Sequence, residues 1–389
     1  MLSVFGCAII HPSKTNVHRT RTVKEEKKMA KLRVGVIGAT GYVGQRFISL
    51  LNDHPWFECV AVVASPRSAG KPYAEAVEGR WKIDVDMPSY VKDMIVESTE
   101  DIEKVCEKVD FVFCAVDMKK DEIRALEEKI AKLETPVVSN NSAHRWTADV
   151  PMMVPEINSD HAAIIEKQRE RLGTKRGFIA VKPNCSIQSY VPALTPLLGF
   201  GIKYINVCTY QAISGAGKTF KDWPEMVGNM IPYIGGEEEK SEQEPLKVWG
   251  HIEGNEIVKA DAPVISAQCY RVAVQEGHTA AVSVKFDKKP TKEEMLEAWK
   301  NYKGAPQELG LPHAPKQFLQ YIDEDNRPQP ALDANFEGGM GVSIGRLRED
   351  PIFDYKFTCL SHNTLRGAAG GAMLTAELLY KKGYLTAKD

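Results

Sequence analysis

Residues 32–51 read LRVGVIGATGYVGQRFISLL, and this stretch decides the fold that we predict. The apolar run at 32–37 predicts a strand, the glycines at 38, 41 and 44 a tight turn, and residues 45–51 a helix. A strand, a glycine turn and a helix in this order are the setting of a dinucleotide-binding fingerprint, in which backbone N–H groups approach a pyrophosphate. Because the spacing is G-x-x-G-x-x-G, an ordinary glycine turn stays an alternative for this motif alone.

The second predicted strand, at 58–64, ends without an acidic residue and continues into SPRSAGK at 65–71. A site for NAD usually ends this strand with Asp or Glu, which binds the ribose hydroxyls. Ser65, Arg67 and Ser68 offer hydroxyls and a guanidinium instead, which suit an additional 2′-phosphate. We therefore predict NADP rather than NAD, although Arg67 taken alone also fits a basic surface loop. The predicted cofactor-binding residues in this part of the chain are Gly38, Thr40, Gly41, Tyr42, Val43, Ser65, Arg67 and Ser68.

Strands and helices continue to alternate beyond this point. The pattern predicts strands at 111–115 and 136–139 and helices at 120–132 and 160–172. Repeated strand–helix units of this kind predict an α/β fold with a doubly wound parallel sheet, as in Rossmann-type domains.

The composition is that of a globular protein. The chain has 389 residues, a hydrophobic fraction of 43% and a net charge of −2, which leaves room for two domains and gives no general attraction to nucleic acid or membranes. We find no run of about 18 apolar residues that would predict a transmembrane helix. The 8 cysteines include no C-x-x-C pair. We therefore expect no metal site and a reducing, cytoplasmic setting.

A candidate nucleophile lies in KPNCSIQ at 182–188, between a predicted strand and the apolar run at 190–198. Cys185 would lie near a helix N-terminus, where the helix dipole favours the thiolate that attacks carbonyl carbon. Asn184 could offer its amide to a developing oxyanion. On this chemistry alone, a small residue at a strand–helix joint is an equally good interpretation.

A second candidate group lies downstream, in RVAVQEGHTA at 271–280. His278 follows a glycine between two β-rich runs, where its ring could act as a general acid or base. Arg271 is a charge within a predicted strand, so we expect it to face a polar site or the surface. A histidine with a purely structural role is the alternative. The small residues in QAISGAGK at 211–218 would let a nicotinamide or substrate approach the backbone closely.

Six motifs in this order are far more specific than any one of them. They are GATGYVG at 38–44, SNNSAHR at 139–145, PNCS at 183–186, QAISGAG at 211–217, RVAVQEGH at 271–278 and HNTLRGAAG at 362–370. From about Leu32 to the C-terminus the chain resembles the aspartate-β-semialdehyde dehydrogenase family, in the branch found in archaea, fungi and some bacteria.

The resemblance implies a role for individual residues. Cys185 would be the nucleophile that forms a thioester, and His278 its acid–base partner. Arg145 would bind the substrate phosphate with help from Lys240 and Asn141, and Arg271 the substrate carboxylate. The remaining implied residues are Asn184, Gln211 and Glu238 for the substrate, with Glu238 at its amino group, and Ser214, Gly215, Gly217 and Asn363 for the cofactor.

The resemblance also implies an activity and a domain division. The reaction would be NADPH-dependent reductive dephosphorylation of L-aspartyl-4-phosphate to L-aspartate-4-semialdehyde, in lysine, threonine and methionine biosynthesis. We expect an extension at 1–30, an NADP-binding domain at 31–182 completed by a C-terminal helix within 361–389, and an α+β catalytic and dimerisation domain at 183–360. A homodimer or homotetramer is expected. The alternatives are a malonyl-CoA reductase and a non-catalytic NADP-binding protein.

Overall fold

A six-stranded parallel sheet forms the first half of the chain. The computed structural model describes residues 30–388, so the expected extension lies outside the described residues except for Ala30. The strand order is β3-β2-β1-β4-β5-β6, with every neighbouring pair parallel. This confirms the prediction of a doubly wound Rossmann-type sheet, whose chain order reverses between β1 and β4. The strands are β1 (Leu32–Ile37), β2 (Phe57–Ala64), β3 (Glu97–Ser98), β4 (Phe111–Cys114), β5 (Val137–Ser139) and β6 (Ile179–Val181).

Helices cover both faces of this sheet, so its central strands are almost entirely buried. All four residues of β4 are buried, as parallel strands between two helical layers should be. The helices that begin in this half are α1 (Tyr42–Leu50), α2 (Tyr73–Ala76), α3 (Ile102–Lys108), α4 (Lys120–Lys132) and α5 (Ile165–Leu172). No helix among residues 30–388 is both long and apolar enough to cross a membrane.

The predicted helix at 120–132 is confirmed, but two other predicted helix starts are wrong. Helix α1 begins at Tyr42 rather than at residue 45, because the glycine turn leads into it without a break and Gly41 forms its N-cap. The predicted helix at 160–172 is α-helical only as α5. The preceding segment Ser159–Ile164 winds more tightly as a 3₁₀ helix, a common way to begin an α-helix.

A seven-stranded mixed sheet forms the second half, in the order β13-β14-β15-β12-β7-β11-β8. Its strands are β7 (Ile202–Gln211), β8 (Met230–Ile231), β11 (Val264–Val272), β12 (His278–Phe286), β13 (Leu319–Ile322), β14 (Val342–Glu349) and β15 (Tyr355–Ser361). A separate hairpin pairs β9 (His251–Glu253) with β10 (Glu256–Val258). The helices are α6 (Ile187–Leu194), α7 (Glu237–Val248), α8 (Lys292–Asn301), α9 (Ala305–Leu309), α10 (Pro330–Asp333) and α11 (Gly370–Lys381).

The two faces of the second sheet differ. On one face α6 and α8 pack onto a continuous core, and the buried Trp299 donates its indole N–H to the Ala193 carbonyl at 2.7 Å. The other face leaves apolar side chains open. Tyr204 is 53% exposed and Val264 is 62% exposed. Along the strands that contain them, more exposed positions largely alternate with buried ones. Residues 30–388 therefore supply no covering layer for one face of this sheet.

The C-terminal segment returns to the first sheet. Helix α11 is buried along nearly its whole length and shares a core with Phe47 of α1. Its Glu377 accepts a hydrogen bond from His54 at 3.0 Å and also contacts His313. These three residues have metal-ligand spacing. However, Nδ1 of His54 accepts hydrogen bonds from the backbone N–H groups of residues 56 and 57. Its Nε2 therefore carries the hydrogen and donates the hydrogen bond to Glu377. We therefore assign this cluster to the docking of α11 rather than to a metal.

Candidate active site

Cys185 lies in the short connection between β6 and α6. Helix α6 begins at Ile187, two residues further on, so the cysteine occupies the predicted position near a helix N-terminus. The Asn184 side-chain oxygen shapes this connection, because it accepts hydrogen bonds from the backbone N–H and the hydroxyl of Ser186 at 2.8 and 2.6 Å. On the other side the backbone of Gly367 presses against the cysteine, since a Cβ there would stand 2.9 Å from the Cβ of Cys185.

The fold brings Cys185 and His278 together across 93 residues. The Cys185 Sγ lies 3.3 Å from Nε2 of His278, the first residue of β12. The other ring nitrogen, Nδ1, accepts the backbone N–H of Ala212 at 3.0 Å. An accepting Nδ1 places the proton of the neutral ring on Nε2, where it points at the sulfur. Complete burial, followed by the nearby charge of Arg271, holds the pKa of His278 well below its usual value, so the ring stays neutral.

Opposing charges surround the sulfur. Burial and then the carboxylate of Glu237 raise the pKa of the Cys185 thiol, whereas Lys182, Arg271 and Arg145 act to lower it. The sequence suggested that the helix N-terminus favours the thiolate. In the structure, burial and several nearby charges also act on the pKa of this thiol. Lys182 is a site residue that the sequence analysis missed. Its side chain is buried beside Cys185, and burial lowers the pKa of its amine to about 7.

A glutamate forms the polar centre of the substrate side, but it is Glu237 and not Glu238. The Glu237 carboxylate accepts hydrogen bonds from Asn184 at 3.0 Å, Gln211 at 3.3 Å and Lys240 at 2.7 Å. Burial opposes its charge, but Lys240 and the two amides outweigh burial and lower the pKa of Glu237. Glu238 points instead at the backbone N–H of Cys269. The predicted register fails because side chains three apart in α7, not two, share a helix face.

The two predicted anion-binding arginines have different partners. Arg145 donates to the buried Glu244 at 2.9 Å and to the Lys182 carbonyl at 3.0 Å, so its charge is already balanced within the chain. Arg271 donates to the Ala212 carbonyl at 2.7 Å, and no carboxylate among residues 30–388 forms a salt bridge with it. Burial lowers the pKa of Arg271. The carboxylate of Glu237 acts on Arg271 only from a distance, so this buried cation lacks a direct partner among residues 30–388 and is poised for an anionic ligand.

Two predicted amides are already engaged. The Asn184 side chain is held by Glu237 and Ser186, which leaves it to shape the site rather than to face an oxyanion. The Asn141 side chain donates to the buried Glu127 at 3.0 Å. Its neighbour Asn140 lines the same cavity as Cys185, and its Oδ1 has no hydrogen-bond partner. The sequence analysis did not single out Asn140, because only the geometry of the chain after β5 distinguishes it from Asn141.

Cys185 opens onto a small cavity of about 130 Å³ that it shares with residues predicted for the cofactor. Val43 comes from the start of α1, and Ser214 and Gly215 come from the loop after β7. Asn363 lies on the segment after β15. Gly217 is not among the residues that line this cavity, and its carbonyl accepts a hydrogen bond from Lys82 at 3.1 Å.

A larger cleft of about 370 Å³ runs along the C-terminal ends of β1, β2 and β4. Its lining includes Gly38, Thr40, Gly41, Ser65 and Arg67. Gly38 has a φ of +84°, and a Cβ there would stand 2.3 Å from the Ala115 carbonyl oxygen, so only glycine fits. Such a cleft, at the switch point of a parallel sheet and beside the N-terminus of α1, suits a pyrophosphate.

Two predicted cofactor residues do not face this cleft with their side chains. Ser68 is 6% exposed, and its backbone N–H closes a turn onto the Ser65 carbonyl at 2.9 Å. Tyr42 is 8% exposed, and its hydroxyl donates to Glu276 at 2.6 Å. At the first helical position, Tyr42 can still offer its backbone N–H to an anion.

Two parts of the chain match the two domains of one enzyme family. Residues 33–165 match the NAD binding domain of semialdehyde dehydrogenases, and residues 194–366 match their dimerisation domain.

Whole-length relatives agree with these matches. An aspartate-semialdehyde dehydrogenase of Methanothermobacter thermautotrophicus is 43% identical over 351 residues, covering 90% of this chain and 99% of that protein. One from Schizosaccharomyces pombe is 43% identical over 366 residues, covering 92% and 100%. A crystal structure of the Candida albicans aspartate semialdehyde dehydrogenase with NADP superposes with a TM-score of 0.80 at 37% identity, covering 91% of this chain and 100% of that chain. The chain therefore belongs to the semialdehyde dehydrogenase family, with aspartate-semialdehyde dehydrogenases of archaea and fungi among its relatives.

Proposed function

We propose that this protein is an NADP-dependent aspartate-semialdehyde dehydrogenase. It reduces L-aspartyl-4-phosphate to L-aspartate-4-semialdehyde and phosphate through a thioester on Cys185, a step of lysine, threonine and methionine biosynthesis. The observation that carries this proposal is the 3.3 Å contact between the Cys185 sulfur and His278 beside the unpaired Arg271. A nucleophile, an acid–base partner and an anion-binding cation close together are what the reaction requires.

The cleft at the end of the parallel sheet is the proposed NADP site. Gly38, Thr40 and Gly41 would hold the pyrophosphate, and Ser65 and Arg67 the 2′-phosphate. No acidic residue stands at the end of β2, where a site selective for NAD needs one. When bound, NADPH supplies the hydride that reduces the thioester. The small cavity that joins Val43 and Gly215 to Cys185 is the place where both reactants meet.

The chain's own groups account for the covalent steps. Once its thiol proton has been released to solvent, the Cys185 thiolate attacks the acyl carbon of the substrate, the carbon–oxygen bond to phosphate breaks, and phosphate leaves with the electron pair. After reduction, the carbon–sulfur bond of the tetrahedral oxyanion breaks, its oxygen becomes the carbonyl oxygen of the aldehyde, and the sulfur leaves as the thiolate that can attack again. The Nε2–H of His278 faces this sulfur and stabilises its negative charge in both steps.

Substrate recognition follows from charge. Arg271, which lacks a counter-ion in the described residues, would bind the α-carboxylate by paired hydrogen bonds. Glu237 would receive the substrate ammonium, because it is the ionised carboxylate on this side of the site. Arg145 would attract the phosphate, and Lys240 would assist it. Asn140 lines the same cavity as Arg145, and its Oδ1 has no hydrogen-bond partner among the described residues.

We propose a homodimer formed through the uncovered face of the second sheet. Tyr204, Tyr210 and Val264 are large side chains exposed on its strands, and the matching family domain is a dimerisation domain. The cofactor-binding domain would comprise 31–182 with the returning segment 361–389, and the catalytic and dimerisation domain 183–360. A cytoplasmic location fits a protein with seven free cysteines among its described residues.

The test is phosphate-dependent reduction of NADP⁺ by the purified protein with L-aspartate-4-semialdehyde. Oxidation of NADPH with malonyl-CoA is measured beside it. We expect turnover in the first assay and none in the second, and Cys185→Ser should abolish turnover while leaving NADP⁺ binding intact. Turnover with malonyl-CoA alone would refute the substrate assignment, and substantial activity of Cys185→Ser would refute the thioester.

A further inference from the structure

Glu276 lies at a junction between the cofactor-binding helix and the catalytic loop. It belongs to the connection between β11 and β12, two residues before His278. Its Oε1 accepts hydrogen bonds from the Tyr42 hydroxyl at 2.6 Å and the Arg46 guanidinium at 3.1 Å. Tyr42 and Arg46 are four residues apart on α1, so both face the same way. One oxygen of Glu276 therefore holds the start of the helix that borders the cofactor cleft.

The other carboxylate oxygen holds the catalytic side. Oε2 of Glu276 accepts the Ser214 hydroxyl at 2.9 Å and the Thr364 hydroxyl at 3.2 Å. Asn363 extends this network, since its amide donates to Ser214 at 2.7 Å and its oxygen accepts the Gly277 N–H at 2.7 Å. Ser214 and Asn363 also line the cavity of Cys185. The carboxylate thus joins three separate segments of the chain around the reacting pair.

We propose that Glu276 is a positioning residue that couples the cofactor-binding helix to the Cys185–His278 pair. Its four partners come from both halves of the fold, and a single rigid carboxylate fixes their separation. Arg46 is 5% exposed and needs a carboxylate to balance its charge, which Glu276 supplies from the catalytic side. The inference rests on the proposed function, because it assigns NADP to the cleft beside α1.

The substitution Glu276→Gln keeps the shape of the side chain and removes its charge. The new amide NH₂ group must then replace one of the two carboxylate oxygens. If it faces Arg46, two donors oppose each other, and if it faces the two hydroxyls on the catalytic side, these hydroxyls lose their acceptor. We expect the dissociation constant for NADP⁺, measured by titration calorimetry, to rise about fivefold or more, the size of a typical coupling between sites. Alkylation of Cys185 by iodoacetamide in the absence of nucleotide should slow about threefold or more, because the His278 loop loses its anchor.

Asp84→Asn is the matched control. Asp84 is the second carboxylate partner of Arg46, at 3.1 Å, but its side chain is 77% exposed, and among residues 30–388 it forms no hydrogen bond with the catalytic side. This variant should leave both quantities within about twofold of wild type, since exposed ion pairs contribute little. Tyr42→Phe removes one hydrogen bond of Glu276 and should shift both quantities in the same direction by less. It serves as the test if Glu276→Gln does not fold.

A change in both NADP⁺ affinity and Cys185 alkylation supports the coupling. A change in only one of them, or a lower melting temperature with neither, overturns it. Binding of NADP⁺ by the wild-type protein and its turnover test the proposed function separately, so the two ideas can fail independently.

Discussion

The contact between Gly367 and Cys185 makes the sharpest prediction about the position of the nucleophile. In Gly367→Ala the new Cβ would stand 2.9 Å from the Cβ of Cys185 and 3.4 Å from its Cα. Carbon atoms in contact prefer about 3.5–4.0 Å, so the cysteine or the turn must move by about 0.6 Å. The sulfur is 3.3 Å from His278, and a shift of that size would lengthen and weaken this contact. A misplacement of about 1 Å can cost about 100-fold in rate, so we expect kcat to fall by about tenfold or more.

The assay pairs the steady-state kcat with the rate of Cys185 alkylation by iodoacetamide at pH 7. Both should fall in Gly367→Ala, while overpacking lowers the free energy of unfolding by about 1–3 kcal/mol. Gly199→Ala is the control, because a Cβ there meets nothing within 4 Å and its backbone is not in the left-handed region. If Gly367→Ala keeps kcat and alkylation within about twofold of wild type, the close packing does not position the sulfur.

Three further predictions concern the charges of the two clefts. Arg67→Ala should raise the KM for NADPH more than that for NADH, because only NADPH carries the 2′-phosphate, and equal changes would contradict this role. Glu237→Gln should raise the KM for aspartate semialdehyde by about tenfold or more, whereas Glu238→Gln should not, a comparison that checks the register of α7. The pKa of Lys182 is lowered by burial to about 7, so its amine supports the Cys185 thiolate below that pH and loses its charge above it. Lys182→Met should therefore slow alkylation about tenfold at pH 6 and hardly at pH 9, and a ratio that does not change with pH would count against this role.

The buried charges explain why the site is organised around few ionised groups. Glu237 and Arg145 have partners of opposite charge within the chain before any ligand arrives. Arg271 lacks such a partner among residues 30–388 and is the group whose burial a substrate carboxylate would compensate. Binding of the correct anion and stabilisation of this cation are therefore one event, which favours a substrate that carries a carboxylate over one that does not.

The sequence by itself determined the fold class and the place of Cys185 next to a helix start. The strand at 32–37, the glycine turn and the following helix have local causes, because apolar β-rich runs and glycines act within a few residues. Cys185 could be placed near a helix start for the same reason. The preference for NADP over NAD was likewise predicted from residues that lie close together in the sequence, among them Ser65 and Arg67. Order and spacing along the chain were sufficient for these conclusions.

Only the tertiary structure decided which distant residues meet. Nothing in the separation of Cys185 and His278, 93 positions along the chain, shows that the chain folds back to place them 3.3 Å apart. In the sequence, nothing distinguishes Lys182 from an ordinary surface lysine, whereas the structure shows it buried beside the sulfur. Glu237 replaces Glu238 because helix phase, set by the packing of α7 against β11, selects which of three adjacent glutamates points inward. Burial, charge pairing and helix phase are properties of the packed molecule, which is why the chain order could not supply them.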